Sequence, residues 1–157
     1  MKVLAFDPGY DRLGVAVLDQ ENGKEKLLFS TCVLTNKQSD LPDRLVEIGN
    51  AVALLIAEHT PDAVAIETLF FNKNIKTAIG VAQARGIILY LAKHAGCRLY
   101  EFGPQEIKVA VTGYGNSDKN AVIDMVKRLV TNAPKTAHDD EYDAIAVGIT
   151  ALAHYRA

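Results

Sequence analysis

The chain has 157 residues, 49% of them apolar and 23% charged, with a formal net charge of -2. That length and mixture describe one globular domain with a sizeable core, and exclude both a disordered chain and a uniformly basic nucleic-acid binder. Charge is unevenly placed: from Thr68 to Tyr100 there is no Asp or Glu, while Lys73, Lys76, Arg85, Lys93 and Arg98 all fall there. Cys32 and Cys97 lie in apolar stretches without zinc-like spacing, as reduced intracellular thiols do. The opening MKVLAF is cut by Asp7, short of a signal-peptide core, and no uncharged apolar run reaches about 18 residues. A cytoplasmic protein with no membrane segment is expected.

KVLAFD, LGVAVLD and LLFSTCVL are apolar runs separated by the turn-forming PGYDR and ENGKEK, which predicts a three-stranded meander. From Asp40 to His59 the residues Leu45, Ile48, Val52, Leu55 and Ile56 recur at helical spacing, with Asp40 as cap and Pro42 in the first turn. Pro61 stops that helix, and DAVAIE reads as a strand buried on both faces. The long pattern NIKTAIGVAQARGIILYLAKHAG predicts a helix ending at Gly96, followed by the strand CRLYEF. Ser117 is placed to cap a helix from Asp118 to Val130, and a strongly apolar helix runs from Asp140 to Tyr155. The order βββαβαβαα predicts an α/β domain, a mixed central sheet with helices on both faces. The helix between Thr77 and Gly96 carries Ile79, Val81, Ile87, Ile88 and Leu91 too widely around it for one core face, so it is expected to form a dimer surface.

Asp7 and Glu67 each close an apolar strand. Either alone fits a turn cap or a solvated acid, but on adjacent parallel strands both carboxylates emerge at one sheet edge, where open α/β sheets bind ligands. Gly14 allows close approach behind Asp7. In HDDEYD, Asp140 and Asp143 share a helix face at a spacing of three, and Asp139 and Asp143 do so at four. Acids also suit a helix N-terminus through its dipole alone. Here, though, the helix behind them must be buried, and like charges held in a partly dry site repel unless a cation intervenes. All-oxygen ligands suit Mg²⁺ or Mn²⁺, and two such ions serve phosphodiester hydrolysis. Asp7, Glu67, Asp140 and Asp143 are the candidate metal and catalytic carboxylates; His138 fits a surface residue before a helix, with a metal ligand or proton carrier as the alternative.

These acids stand in the order and contexts of the RuvC-type Holliday-junction resolvases. FDPGYDRLG resembles that family's opening D-P-G segment, AIETLFFNKN its glutamate strand and following aromatic, and AQARG its central helix. VTGYGNSDKNAV resembles its glycine turn before a basic helix, and DEYDAIAVGITA its closing acidic helix. The opening loop reads YDRL where the family more usually has a hydroxyl residue before the glycine. The resemblance runs from Lys2 to about His154. It implies an RNase H-like fold for a single nuclease domain over residues 1–157, a homodimer, and Mg²⁺-dependent cleavage of opposed strands in a four-way DNA junction, with a branch-migration helicase complex as a further partner. By motif, Phe70 matches an aromatic that meets DNA bases, and Lys108 and Lys119 match basic residues close to the cleaved phosphate. Lys119 in a first helical turn opposes the dipole, which an adjacent anion would explain. Lys73, Lys76 and Arg85 are expected on the same DNA face. A different RNase H-like nuclease acting on RNA is an alternative, and DPGYDRLG alone would also suit an actin-like ATP-binding protein.

Overall fold

The structure is a computed structural model in which residues 1–69 and 75–156 are described. Three strands, β1 (Val3–Asp7), β2 (Arg12–Glu21) and β3 (Lys24–Leu34), form the expected antiparallel meander. Helix α1 (Leu41–His59) follows, then β4 (Ala63–Glu67), α2 (Ile75–His94), β5 (Arg98–Phe102), α3 (Pro104–Thr112), α4 (Lys119–Leu129), β6 (Val130–Thr131) and α5 (Asp139–Arg156). The sheet runs β5-β4-β1-β2-β3-β6, with β4 parallel to both β1 and β5 and β6 parallel to β3.

Alternation along the strands sorts two cores. Ala5, Ala16, Ala63 and Ala65 face α5 together with α3 and α4, while Leu4, Phe6, Val15, Val17 and Ile66 face α1 and α2. The small residues let α5 lie close to the sheet, and its own Ala144, Ala146 and Ala151 complete the contact. Full burial of each larger side chain, such as Phe6, Ile66 or Ile145, contributes about 1.5–3 kcal/mol.

Local signals explain most boundaries. Asp40 Oδ1 accepts from Asp43 N at 3.1 Å and caps α1, which Pro61 follows closely. In α2 the buried stripe is Gly80, Ala84, Ile88 and Ala92, every fourth residue. Ile88 therefore belongs to the core, not to the outward face on which the sequence pattern put it; Ile79 and Tyr90 are exposed. By length and composition α2 is apolar enough to cross a membrane, but that stripe is spent on α1 and the sheet.

Three elements depart from expectation. α3 was not anticipated: Glu106 at its third position accepts from Gly103 N at 2.7 Å, and only Ile107 and Val111 are buried, too few for a clear periodicity. β6 is two residues long and pairs with β3 through Glu25 and Lys26 alone. The cap of α4 is Asp118, whose Oδ1 accepts from Ala121 N at 2.8 Å, and not Ser117. The Ser117 hydroxyl is taken up by Thr112 Oγ1 and the Tyr114 carbonyl, which hold the turn after α3.

Candidate active site

The parallel register aligns Phe6 with Ile66, so Asp7 and Glu67, one residue further along, reach the same edge of the sheet. Alternation turns both side chains toward α5, since Ala5 and Ala65 two positions earlier pack on that side. Across the β1–β2 pair Asp7 faces Gly14. A Cβ at position 14 would stand 1.9 Å from the Asp140 carbonyl oxygen and 3.2 Å from Asp7 Cβ, so only glycine lets the first turn of α5 settle beside Asp7.

That first turn begins immediately after His138, whose carbonyl accepts from Glu141 N and Tyr142 N; its side chain is exposed. The four acids of the turn divide their tasks. Asp140 and Asp143 act on the charge of Asp7, whereas Asp139 is exposed and stands 3.4 Å from Lys119 Nζ. Glu141 points away and accepts from Ser30 Oγ at 2.5 Å, fastening the helix start to β3. Both spacings considered for this segment are thus occupied, one facing Asp7 and the other facing a lysine.

Crowding of carboxylates shows in their proton affinities. Burial pushes Asp7 up to about 8, with Asp143, Glu67 and Asp140 adding to the effect and Lys119 opposing it. Glu67 rises to about 7, again chiefly through burial and then Asp143, against Lys108 and Lys119. Asp143 is also raised, by burial first, with Asp140 and Asp139 contributing and the Lys119 hydrogen bond pulling the other way. Burial works against the Lys119 ammonium, yet its bond to Asp143 Oδ2 at 3.0 Å and the nearby Asp139 hold it above its ordinary value. Lys119 stays charged while burial makes Asp143 reluctant to be.

Two side-chain cations meet this negative cluster. Lys119 bridges Asp139 and Asp143, and Arg12 Nε lies 3.3 Å from Asp140 Oδ2. Among the described residues, no three His, Cys, Asp or Glu side chains close on one point tightly enough to share an ion as they stand. The donor chemistry nonetheless fits a hard cation. Asp140 Oδ2 is buried and accepts no hydrogen bond, and the oxygens of Asp7 and Glu67 are held in a charge state that a cation would relieve. Beside the acids, a cleft of about 260 Å³ is lined by Glu67, Lys108, Lys119 and Asp143 over an apolar floor of Ile107, Val122 and Ala146.

Of the basic residues expected to meet DNA, Lys108 and Lys119 share that cleft, and Lys76 is exposed in the first turn of α2. Arg85 is differently placed. Its guanidinium pairs with Glu101, and its Nε donates to the Glu67 carbonyl at 3.3 Å, so it braces the end of β4. Phe70 and Lys73, and with them Phe71, lie outside the described residues. Sequence reasoning missed Arg12 as a partner of Asp140. Nothing in an arginine at the start of a strand announces an acid more than a hundred residues away.

Comparison with known proteins identifies the family and the fold. The family described as Crossover junction endodeoxyribonuclease RuvC matches residues 3–151. A protein of that name from Finegoldia magna is 44% identical over 149 residues, covering 95% of this chain and 91% of its own. The Thermus thermophilus RuvC structure superposes with a TM-score of 0.87 at 31% identity, covering 99% of this chain and 96% of its own. T. thermophilus RuvC in complex with Holliday junction substrate gives 0.92 at 30% identity, with coverage of 99% and 95%. The fold is the RNase H-like α/β fold of these proteins, and the chain belongs to the RuvC family of crossover junction endodeoxyribonucleases.

Proposed function

We propose that the chain performs the junction-resolving endonuclease activity of its family with Asp7, Glu67, Asp140 and Asp143 as the carboxylates that hold divalent metal, Mg²⁺ or Mn²⁺, two ions per site. The observation that carries this reading is the convergence of acids from β1, β4 and α5 at one sheet edge, where burial and mutual repulsion hold Asp7 protonated to about pH 8. Buried carboxyls whose ionised form is disfavoured in this way are stabilised as carboxylates by an adjacent cation. Bound metal supplies an activated water and neutralises charge on the phosphodiester being cut.

The remaining residues bind and orient. Lys119, charged and set between Asp143 and Asp139, and Lys108, facing Glu67, line the cleft and attract a DNA phosphate to it. Lys76 extends the basic surface, Phe70 stacks on a base at the crossover, and Lys73 adds a phosphate contact. Arg85 acts by bracing the backbone of Glu67. Residues 1–157 form one cytoplasmic nuclease domain that works as a homodimer, so that two sites cut opposed strands at matching positions and leave 5′-phosphates. The dimer surface is the apolar groove of about 690 Å³ between α1 and α2, lined by Leu45, Val46, Ile87, Tyr90 and Leu91. A branch-migration helicase complex is the further partner.

Cleavage of a synthetic four-way junction beside linear duplex and RNA–DNA hybrid, with and without Mg²⁺, tests this reading. Metal-dependent cutting of the junction alone, lost in Asp7→Asn, is expected. Equal cutting of all three substrates would contradict junction selectivity, and cutting by Asp7→Asn would contradict the assignment of the acids.

A further inference from the structure

The pair between Arg12 and Asp140 has features of an interaction built to be exchanged. The two groups are within ion-pair distance at 3.3 Å, yet Asp140 Oδ2 accepts no hydrogen bond and is itself buried, so charge holds the pair without the alignment of a permanent bridge. Asp140 is 21% exposed whereas the Arg12 side chain is 53% exposed. The acid is the enclosed partner and the cation the solvent-facing one.

The backbone beneath Arg12, in contrast, is pinned. Arg44, a buried charge, pairs with Asp11, sets its guanidinium over the Tyr10 ring at 5.0 Å, and donates from Nε to Thr35 Oγ1 at 3.0 Å. Thr35 in turn donates to the Tyr10 and Asp11 carbonyls. On the other side the Tyr10 ring lies where a Cβ at Gly80 would come within 2.6 Å, so α2 receives it only at a glycine. Arg12 then enters the β-ladder opposite Leu34. A fixed stem thus presents an exposed guanidinium to Asp140, and both side chains border an open groove of about 180 Å³ completed by Gly9, Tyr10, Thr77 and Val81, which leaves the guanidinium room to turn away from the acid.

We propose that Arg12 is a tethered cation that occupies Asp140 in the metal-free protein and competes with the divalent ion for it, setting how tightly the acid cluster takes metal. This rests on the reading of Asp140 as a metal ligand. While Arg12 is in place, it spares α5 the repulsion of an uncompensated carboxylate at its first turn; when metal enters, the guanidinium leaves and its positive charge stays close to the cut strand. The competition keeps the metal site weak until another anion, the DNA phosphate, draws Arg12 away.

Calorimetric titration of Mn²⁺ into the metal-free full chain tests this without reference to cleavage. Arg12→Gln is expected to bind Mn²⁺ up to roughly fivefold more tightly than the parent, the scale of one partly exposed ion pair that the metal no longer has to break. Arg12→Lys, which keeps the charge, is expected to stay near the parent. In an Asp140→Asn background, Arg12→Gln should neither tighten nor restore binding. Parent affinity in Arg12→Gln, alongside weakened binding in Asp140→Asn, overturns the competition and leaves the metal site intact. An equal gain in the Asp140→Asn background would reveal a general charge effect and overturn it too. Unchanged Mn²⁺ affinity in Asp140→Asn itself would remove Asp140 from the ligands, and the proposal with it.

Discussion

Asp7 carries a proton affinity that ties the metal-binding role proposed for it to a cost in stability. Unfolded, its carboxyl titrates at 3.8; folded, at about 8. Below about pH 4 both states hold the proton and the group adds no pH-dependent cost, whereas between about 4 and 8 the folded state keeps a proton that the unfolded state has released. Stability from this group therefore falls as pH rises through that window, and the whole cost is present above 8. In metal-free protein Asp7→Asn should thus raise Tm, and the gain should grow between pH 5 and pH 8.5 to at least about 4 °C, at 2–4 °C per kcal/mol for a chain of this size. A gain that is the same at both pH values in thermal unfolding would show that Asp7 is not the strained group. The same variant should lose more than about 100-fold in junction cleavage, since even residues that only support metal ligands cost 10–100-fold. Gly14 is the complementary case: Gly14→Ala puts a methyl 1.9 Å from the Asp140 carbonyl, and α5 must shift. A destabilisation of about 1–3 kcal/mol in denaturant unfolding is expected, together with weakened Mn²⁺ binding, because the helix that moves carries two of the acids.

At the scale of elements, α4 shows how local chemistry delivers a functional group. Its cap, Asp118, is followed at once by Lys119, so the residue that begins the helix also points the ammonium at Asp143. Asp118→Ala should cost about 1 kcal/mol, read as a Tm lower by about 2–4 °C, and should blunt cleavage more than Ser117→Ala does. The meander, α1, β4, α2, β5 and α5 were readable from the sequence because each announces itself by period, cap or breaker. Asp7 and Glu67 were readable because an acid that ends a buried strand has few places to go. α3 was not, because a nine-residue helix that buries two side chains leaves almost no periodic trace, and its Gly-Pro-x-Glu start is a short signal. Whether Asp139 or Asp140 would face Asp7 depended on where α5 begins, which turns on the His138 carbonyl and on close packing at Gly14, both tertiary facts. The bracing role of Arg85 was hidden for a similar reason, since Glu101 becomes its partner only when β5 lies beside β4.

For the molecule as a whole, the acid-free segment from Thr68 to Tyr100 belongs to a chain of net charge -2, so attraction to DNA is a matter of distribution. The same α2 that carries Lys76 near one end exposes Tyr90 toward the other, on the groove assigned to the dimer. Tyr90→Asp should shift sedimentation velocity toward monomer while leaving the circular dichroism spectrum intact, because Tyr90 is 66% exposed in the single chain. A dimer unaffected by that charge would move the interface elsewhere. The two cores meet at the sheet, and the acids gather where β1, β4 and the start of α5 run out together, so the candidate site is concentrated at one edge of an otherwise apolar frame. The most direct measurement is anomalous diffraction at the manganese edge from crystals of the full chain soaked in Mn²⁺. Peaks touching Asp7 together with Glu67 and the Asp140 and Asp143 carboxylates are predicted, whereas manganese bound elsewhere, or none beside Asp7 at saturating concentration, would contradict the metal-filled acid cluster on which the reading of this enzyme stands.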